Sequence, residues 1–331
     1  MSELQLSLII IGALVVIAVF VYNRMQERSA RRGAERAFSS SHADVLMETQ
    51  HQKDVAALRP AEVRPRAPGP EESGEIPDPR IDYVVELRSA DATVAREFRE
   101  HWAGIARRLR ERALLCVMPD GTLLAGLQLV SRNGVTGEAD LIEFRSEVEA
   151  LAARLSLQVN APEMKAALES ARLQDAFCAD RDIQVALHVV ARKQEGFDRA
   201  RVLAIGERLG MLLEEEGRLA SSDSGQRLLF QVMDRSGARL DATRPAAAPL
   251  LALSLTMDVP RTPDTRRSFE AMARAAAGLG TDLDGAIVDD NGAALDERAL
   301  AAIGAQLDQV RSELDARGIP PGGALALRVF S

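Results

Sequence analysis

The stretch Leu251-Ala252-Leu253-Ser254-Leu255-Thr256-Met257-Asp258-Val259-Pro260 decides the fold. Its large apolar side chains recur at every second position, the period of a strand that buries one face. Pro260 lacks the N–H that another rung of a ladder needs, so the strand ends there. Just beyond, Pro263 and Asp264 open a helix with Phe269, Met272, Ala273 and Ala276 on one face. Ala286 to Val288 is short and apolar, a further strand, and Asp289 to Gly292 supplies a turn. Leu300, Ile303, Leu307, Val310 and Leu314 then stripe a last helix, stopped by Gly318 and Pro320.

Upstream, Ile183, Val185, Leu187 and Val189 alternate as a strand, and Val202, Ile205, Leu209 and Leu212 recur at helical spacing. After the turn-rich Ser221 to Gly225, another strand carries Leu228, Phe230 and Val232. A similar order occupies the preceding hundred or so residues. Tyr83, Val85 and Leu87 make a strand, and Val94, Phe98, Trp102, Ile105 and Leu109 a helix. Ala113 to Met118 and Leu123 to Val130 form a hairpin about Pro119, Asp120 and Gly121. Leu141, Phe144, Val148, Leu151 and Leu155 give a second helix, Leu157 to Val159 a short strand, and Pro162 opens a third helix.

Leu123 to Phe177 and Leu250 to Leu307 therefore run in the same order, strand, helix with a Phe, short strand, helix, with Phe144 falling against Phe269. The fold class that follows is α+β: an antiparallel sheet with helices on one face, in two tandem copies, because the strands alternate as a half-covered sheet must. Convergent use of a common layout is the alternative to duplication. The expected units are 81–178 and 179–331.

Residues 1–23 belong to neither. Leu6, Leu8, Ile11, Leu14, Ile17, Phe20 and Tyr22 lie in a run without an ionisable side chain, near the lower limit for crossing a hydrocarbon core of about 30 Å. Arg24, Arg28, Arg31 and Arg32 follow it, so the positive-inside bias predicts a single transmembrane anchor in an inner membrane, with the N-terminus periplasmic and the remainder cytoplasmic. Residues 24–80 are charged and then Pro-rich, a solvated tether with a reach of about 40 Å if flexible.

Chemistry is sparse. A net charge of -8 argues against nucleic acid as a main partner. Cys116 and Cys178 are far apart and are expected to be reduced thiols. Phosphate-loop, dinucleotide-loop, zinc-protease and nucleophile-elbow patterns are all missing, so no catalytic residue, cofactor, metal or small-molecule substrate is expected. Asp282, Asp284, Asp289 and Asp290 lack the spacing of a calcium loop and read as turn residues, and His188 reads as a surface residue on its strand. Anchor, tether and a module without a catalytic motif suggest a protein that holds a partner at the membrane.

The C-terminal half resembles the ZipA family, membrane-anchored proteins that bind the division protein FtsZ. The resemblance rests on a strand ending Asp258-Val259-Pro260, a helix with Phe269 and Met272, and Gly285-Ala286-Ile287-Val288-Asp289-Asp290 followed by Leu295 and an amphipathic helix. It covers roughly 181–317 and implies a split β-α-β sheet whose open face binds the C-terminal tail of FtsZ in cell division. If Ile183, Val185, Leu187, Phe230, Val232, Leu253 and Leu255 face the helices, the open face receives Gln184, Ala186, His188, Leu229, Gln231, Met233, Ser254 and Thr256. Only Ala186, Leu229 and Met233 of these are apolar, whereas the resemblance implies a largely apolar groove. A membrane-anchored enzyme or nucleotide sensor, and a tether for another division or envelope protein, are the alternatives.

Overall fold

The computed structural model describes residues 75–88, 92–109, 112–241 and 249–331. The anchor expected at 1–23 and most of the tether lie outside these residues. Among the described residues, no helix is long and apolar enough to cross a membrane.

The first half contains β1 (Asp82–Arg88), α1 (Ala92–Arg108), β2 (Ala113–Val117), β3 (Leu123–Gln128), the small hairpin β4 (Val130–Ser131) and β5 (Gly134–Val135), α2 (Glu138–Arg154), β6 (Gln158–Asn160) and α3 (Met164–Arg181). The second contains β7 (Gln184–Ala191), α4 (Arg199–Arg208), β8 (Leu212–Leu213), β9 (Leu219–Ser222), β10 (Leu228–Asp234), β11 (Ala252–Asp258), α5 (Thr265–Leu283), β12 (Gly285–Val288), α6 (Glu297–Ala316) and the short α7 (Ala324–Val329).

The first sheet has the order β2-β3-β1-β6, and the larger one β12-β7-β11-β10-β9-β8. Every pairing in both is antiparallel. With β7 set against β1, β11 against β3, β10 against β2 and β12 against β6, the two orders coincide, and β8 and β9 are the addition.

The alternation read from the sequence sets which face is buried. Tyr83, Val85, Leu87, Leu123, Ala125 and Leu127 point into the first core, where α1 and α2 bring Phe98, Trp102 and Phe144. Trp102 stacks on Phe98 at 6.0 Å, and Tyr83 and Trp102 each meet Phe144 edge-on at 6.3 Å, so one aromatic cluster fastens two helices to β1. The second core is mostly aliphatic. Leu187, Val189, Phe230, Val232, Leu253, Leu255 and Met257 face α5, whose Ala275 and Ala276 let it lie close on the sheet. Gly285 is required there, since a Cβ at that position would stand 2.8 Å from Val189 Cγ1.

Three expectations change. The helix expected to reach Leu212 ends at Arg208: Gly210 takes a positive φ of 79°, and Leu212 and Leu213 become β8, paired with a β9 that the Ser-rich turn had concealed. The last striped helix ends before Gly318 as read, but the end of the unit expected at 179–331 belongs elsewhere: α7 carries Ala326, Val329 and Phe330 into the first core. Within residues 75–80, read as solvated tether, Pro77 is buried against Gly126, while Ile76, Pro79 and Arg80 are exposed.

Candidate functional site

Helices cover one face of the second sheet. Strand parity places Gln184, Ala186, His188 and Val190 of β7 on the other face, together with Ala252, Ser254, Thr256 and Asp258 of β11, and Gln231 and Met233 of β10. The register aligns Gln231, Thr256 and Ala186 in one row across three strands, and Met233, Ser254 and His188 in the next. Seven of the eight positions expected on the open face thus share it. Leu229 is the exception: the pairing of β10 with β9 shifts register between Leu228 and Phe230, and Leu229 packs against the second core.

The face is more apolar than those positions implied. Val288 lies opposite His188, Ala286 opposite Val190, and Ala220 opposite Gln231, each on the outward side. These positions could not be read from the sequence, because they depend on the register of β12 against β7 and on the existence of β9. Ala186, Gln231, Met233 and Thr256 are half-buried and Gln184 is exposed, so solvent reaches the middle of the face.

His188, expected at the surface, is buried. Its Nδ1 lies 2.9 Å from Ser254 Oγ and its Nε2 lies 2.8 Å from Asp290 Oδ1, so the ring ties β7, β11 and the loop after β12 together. Asp289 builds that loop as expected of a turn residue: its Oδ1 accepts from the N–H groups of Asn291 and Ala293. Arg235 donates to the carbonyl of Asp290 and holds the loop from the side. A serine, a histidine and a carboxylate in contact invite comparison with a hydrolytic triad. Ser254, however, is 7% exposed in mid-strand, and the strand's amides are engaged on both sides by β7 and β10 instead of lining a hole for an oxyanion. This geometry fastens a loop.

Gln231 is held in the same manner. Its amide donates to Glu214 at 3.0 Å and accepts from Arg218 at 3.3 Å, which gives Glu214, just after β8, a partner on the face. At the far end of β11, Arg132 of the small hairpin reaches Asp258 at 2.8 Å and Asp182 at 2.6 Å. Burial works against the Arg132 charge, but the bonds from Asp182 and Asp258 outweigh it and hold the guanidinium pKa above its ordinary value. The face therefore has fixed polar groups separated by apolar ones, an arrangement suited to an amphipathic peptide.

On the helical side, a cleft between α5 and α6 is lined by Phe269, Ala273 and Leu300, with Arg266, Glu270 and Arg274 at its rim. Among the described residues, no group of three or more His, Cys, Asp or Glu side chains is placed to hold a metal ion. No curated protein matches the chain. Residues 184–306, from the first residue of β7 into α6, match the family of the ZipA C-terminal FtsZ-binding domain.

Proposed function

We propose that this protein is a membrane-tethered adaptor of cell division that binds the C-terminal tail of FtsZ on the outward face of the second sheet. The match of residues 184–306 to an FtsZ-binding domain carries the reading. The tail lies across the rows of β10, β11 and β7, its apolar side chains on Ala186, Met233 and Val288 and its polar groups on Gln231 and Thr256. Residues 1–23 cross the inner membrane from a periplasmic N-terminus, and the tether lets the module search the cytoplasmic face for filaments. The shared strand order of the two sheets supports a tandem duplication, with 81–178 as the first copy and 179–331 as the second.

Titration of residues 70–331, which form one compact unit, with an FtsZ tail peptide tests this reading. Binding that is lost when Ala186 or Met233 is replaced by Asp is expected. No binding at high micromolar peptide overturns it.

A further inference from the structure

We infer that the outward face of the first sheet is a second peptide-docking surface, and that the chain's own residues 75–79 already occupy it. The inference rests on reading the matching face of the second sheet as a peptide site.

Leu114, Gly126 and Val84 form one row across β2, β3 and β1, and Cys116, Leu124 and Glu86 form the next. Both rows lie on the side away from α1 and α2. In this sheet the middle of the first row has no side chain. Pro77 fills its place: a Cβ at Gly126 would lie 2.6 Å from Pro77 Cβ and 2.8 Å from Pro77 Cγ. Pro77 is buried, while its neighbour Ile76 is 56% exposed, so a single ring is the part of the segment that docks. Proline suits a segment lying over a sheet face, since it brings no N–H that would need a partner there.

The segment is clipped at its C-terminal end. Asp78 N–H donates to Asp82 Oδ2 at 2.7 Å, and the Asp78 carbonyl accepts from the N–H groups of Ile81 and Asp82. Arg80 joins Asp78 Oδ1 at 2.8 Å to the Gly318 carbonyl at 2.6 Å. Arg328 pairs with Asp82 at 2.6 Å and reaches Glu75 at 3.7 Å, so a cation from α7 meets the acidic strap. The occupant is thus an acidic, proline-containing segment held in cis. The consequence is one partner segment per chain, on the second sheet, until the strap is displaced.

Two substitutions release it from opposite sides in residues 70–331: Pro77→Gly removes the docked ring, and Gly126→Ala places a methyl where the ring lies. The first readout needs no partner. Cys116 is half-buried on the same face, in the row beside Gly126, whereas Cys178 is buried with its thiol pushed up to about 11 by burial and serves as the silent control. Alkylation of Cys116, followed by mass spectrometry, is expected to be about tenfold faster in both variants. Added peptide spanning 71–80 should restore the slow rate in Pro77→Gly and not in Gly126→Ala, where the methyl excludes the peptide's proline as well. The second readout is the stoichiometry of the FtsZ tail peptide, expected to rise from one to two per chain. Unchanged alkylation in both variants overturns the strap, and faster alkylation with stoichiometry fixed at one overturns the second docking surface. Failure of the tail peptide to bind the parent protein overturns the function proposed above, while protection by the 71–80 peptide still reads the strap.

Discussion

The two sheets share a strand order and differ in what lies on their outward faces. On the first, Pro77 sits over Gly126, and α7 contributes Arg328 to the buried Asp82. On the second, the corresponding side carries half-buried Ala186, Gln231, Met233 and Thr256, fixed at its edges by the His188 and Gln231 hydrogen bonds. Their cores differ in the same direction. An aromatic cluster and the returning C-terminus reinforce the first, and the second is mostly aliphatic, with Phe230 and Phe269 between the sheet and α5. One strand order thus carries two different outward faces: one with Pro77 seated at Gly126 and one whose middle side chains are half-buried and reached by solvent.

Breaking the first half's closure should have the largest effect. Arg328 is 10% exposed at its side chain, and Asp82 is fully buried there. Removing one member of such a pair strands the other charge, so Arg328→Ala is expected to cost about 3–5 kcal/mol. Urea unfolding of residues 70–331 measures it. A loss no larger than that of an exposed pair would show that α7 is not a fastening of the first half.

The matching fastening in the second half is neutral at one end and should matter less. Ser254→Ala leaves His188 Nδ1 buried without its partner and is expected to cost about 1–3 kcal/mol. The same urea experiment reads it. Faster hydrogen exchange in the Asp289–Leu295 loop would confirm that the ring holds that loop.

The layout itself was legible in the sequence because period-two and helical spacing report burial directly. Tyr83 to Leu87 and Leu253 to Met257 fall in the strands their alternation implied, and the hairpin arm read as Leu123 to Val130 forms as far as Gln128. The outward face was legible in part. Parity within a strand placed Ala186, Gln231, Met233 and Thr256, but Val288, Ala286 and Ala220 depend on which strands become neighbours. Leu229 escaped parity through a register shift. His188 looked like a surface residue because its partners, Ser254 and Asp290, are distant in sequence. Pro77 looked like tether because proline-rich composition signals solvation, and only Gly126, far along the chain, supplies the seat for its ring.

The smallest expected effect is that of acid on the strap. The Arg80 side chain holds the Asp78 carboxyl below the usual aspartate range, with burial acting against it. A folded-state pKa lowered in this way gives stability that is present above the unfolded value and lost as pH falls through the folded one. Attachment of the strap should therefore be constant near neutrality and weaken below about pH 4. Hydrogen exchange at Ile81 and Asp82, whose N–H groups bond to the Asp78 carbonyl, would follow it. Weakening that begins near pH 7 would contradict this assignment.

The contrast between a filled and an open face is tested most directly by amide hydrogen exchange of residues 70–331, with and without an FtsZ tail peptide. New protection is expected in β7, β10 and β11 and none in β1, β2 or β3. Protection of the first sheet alone, or of the cleft between α5 and α6, would contradict it.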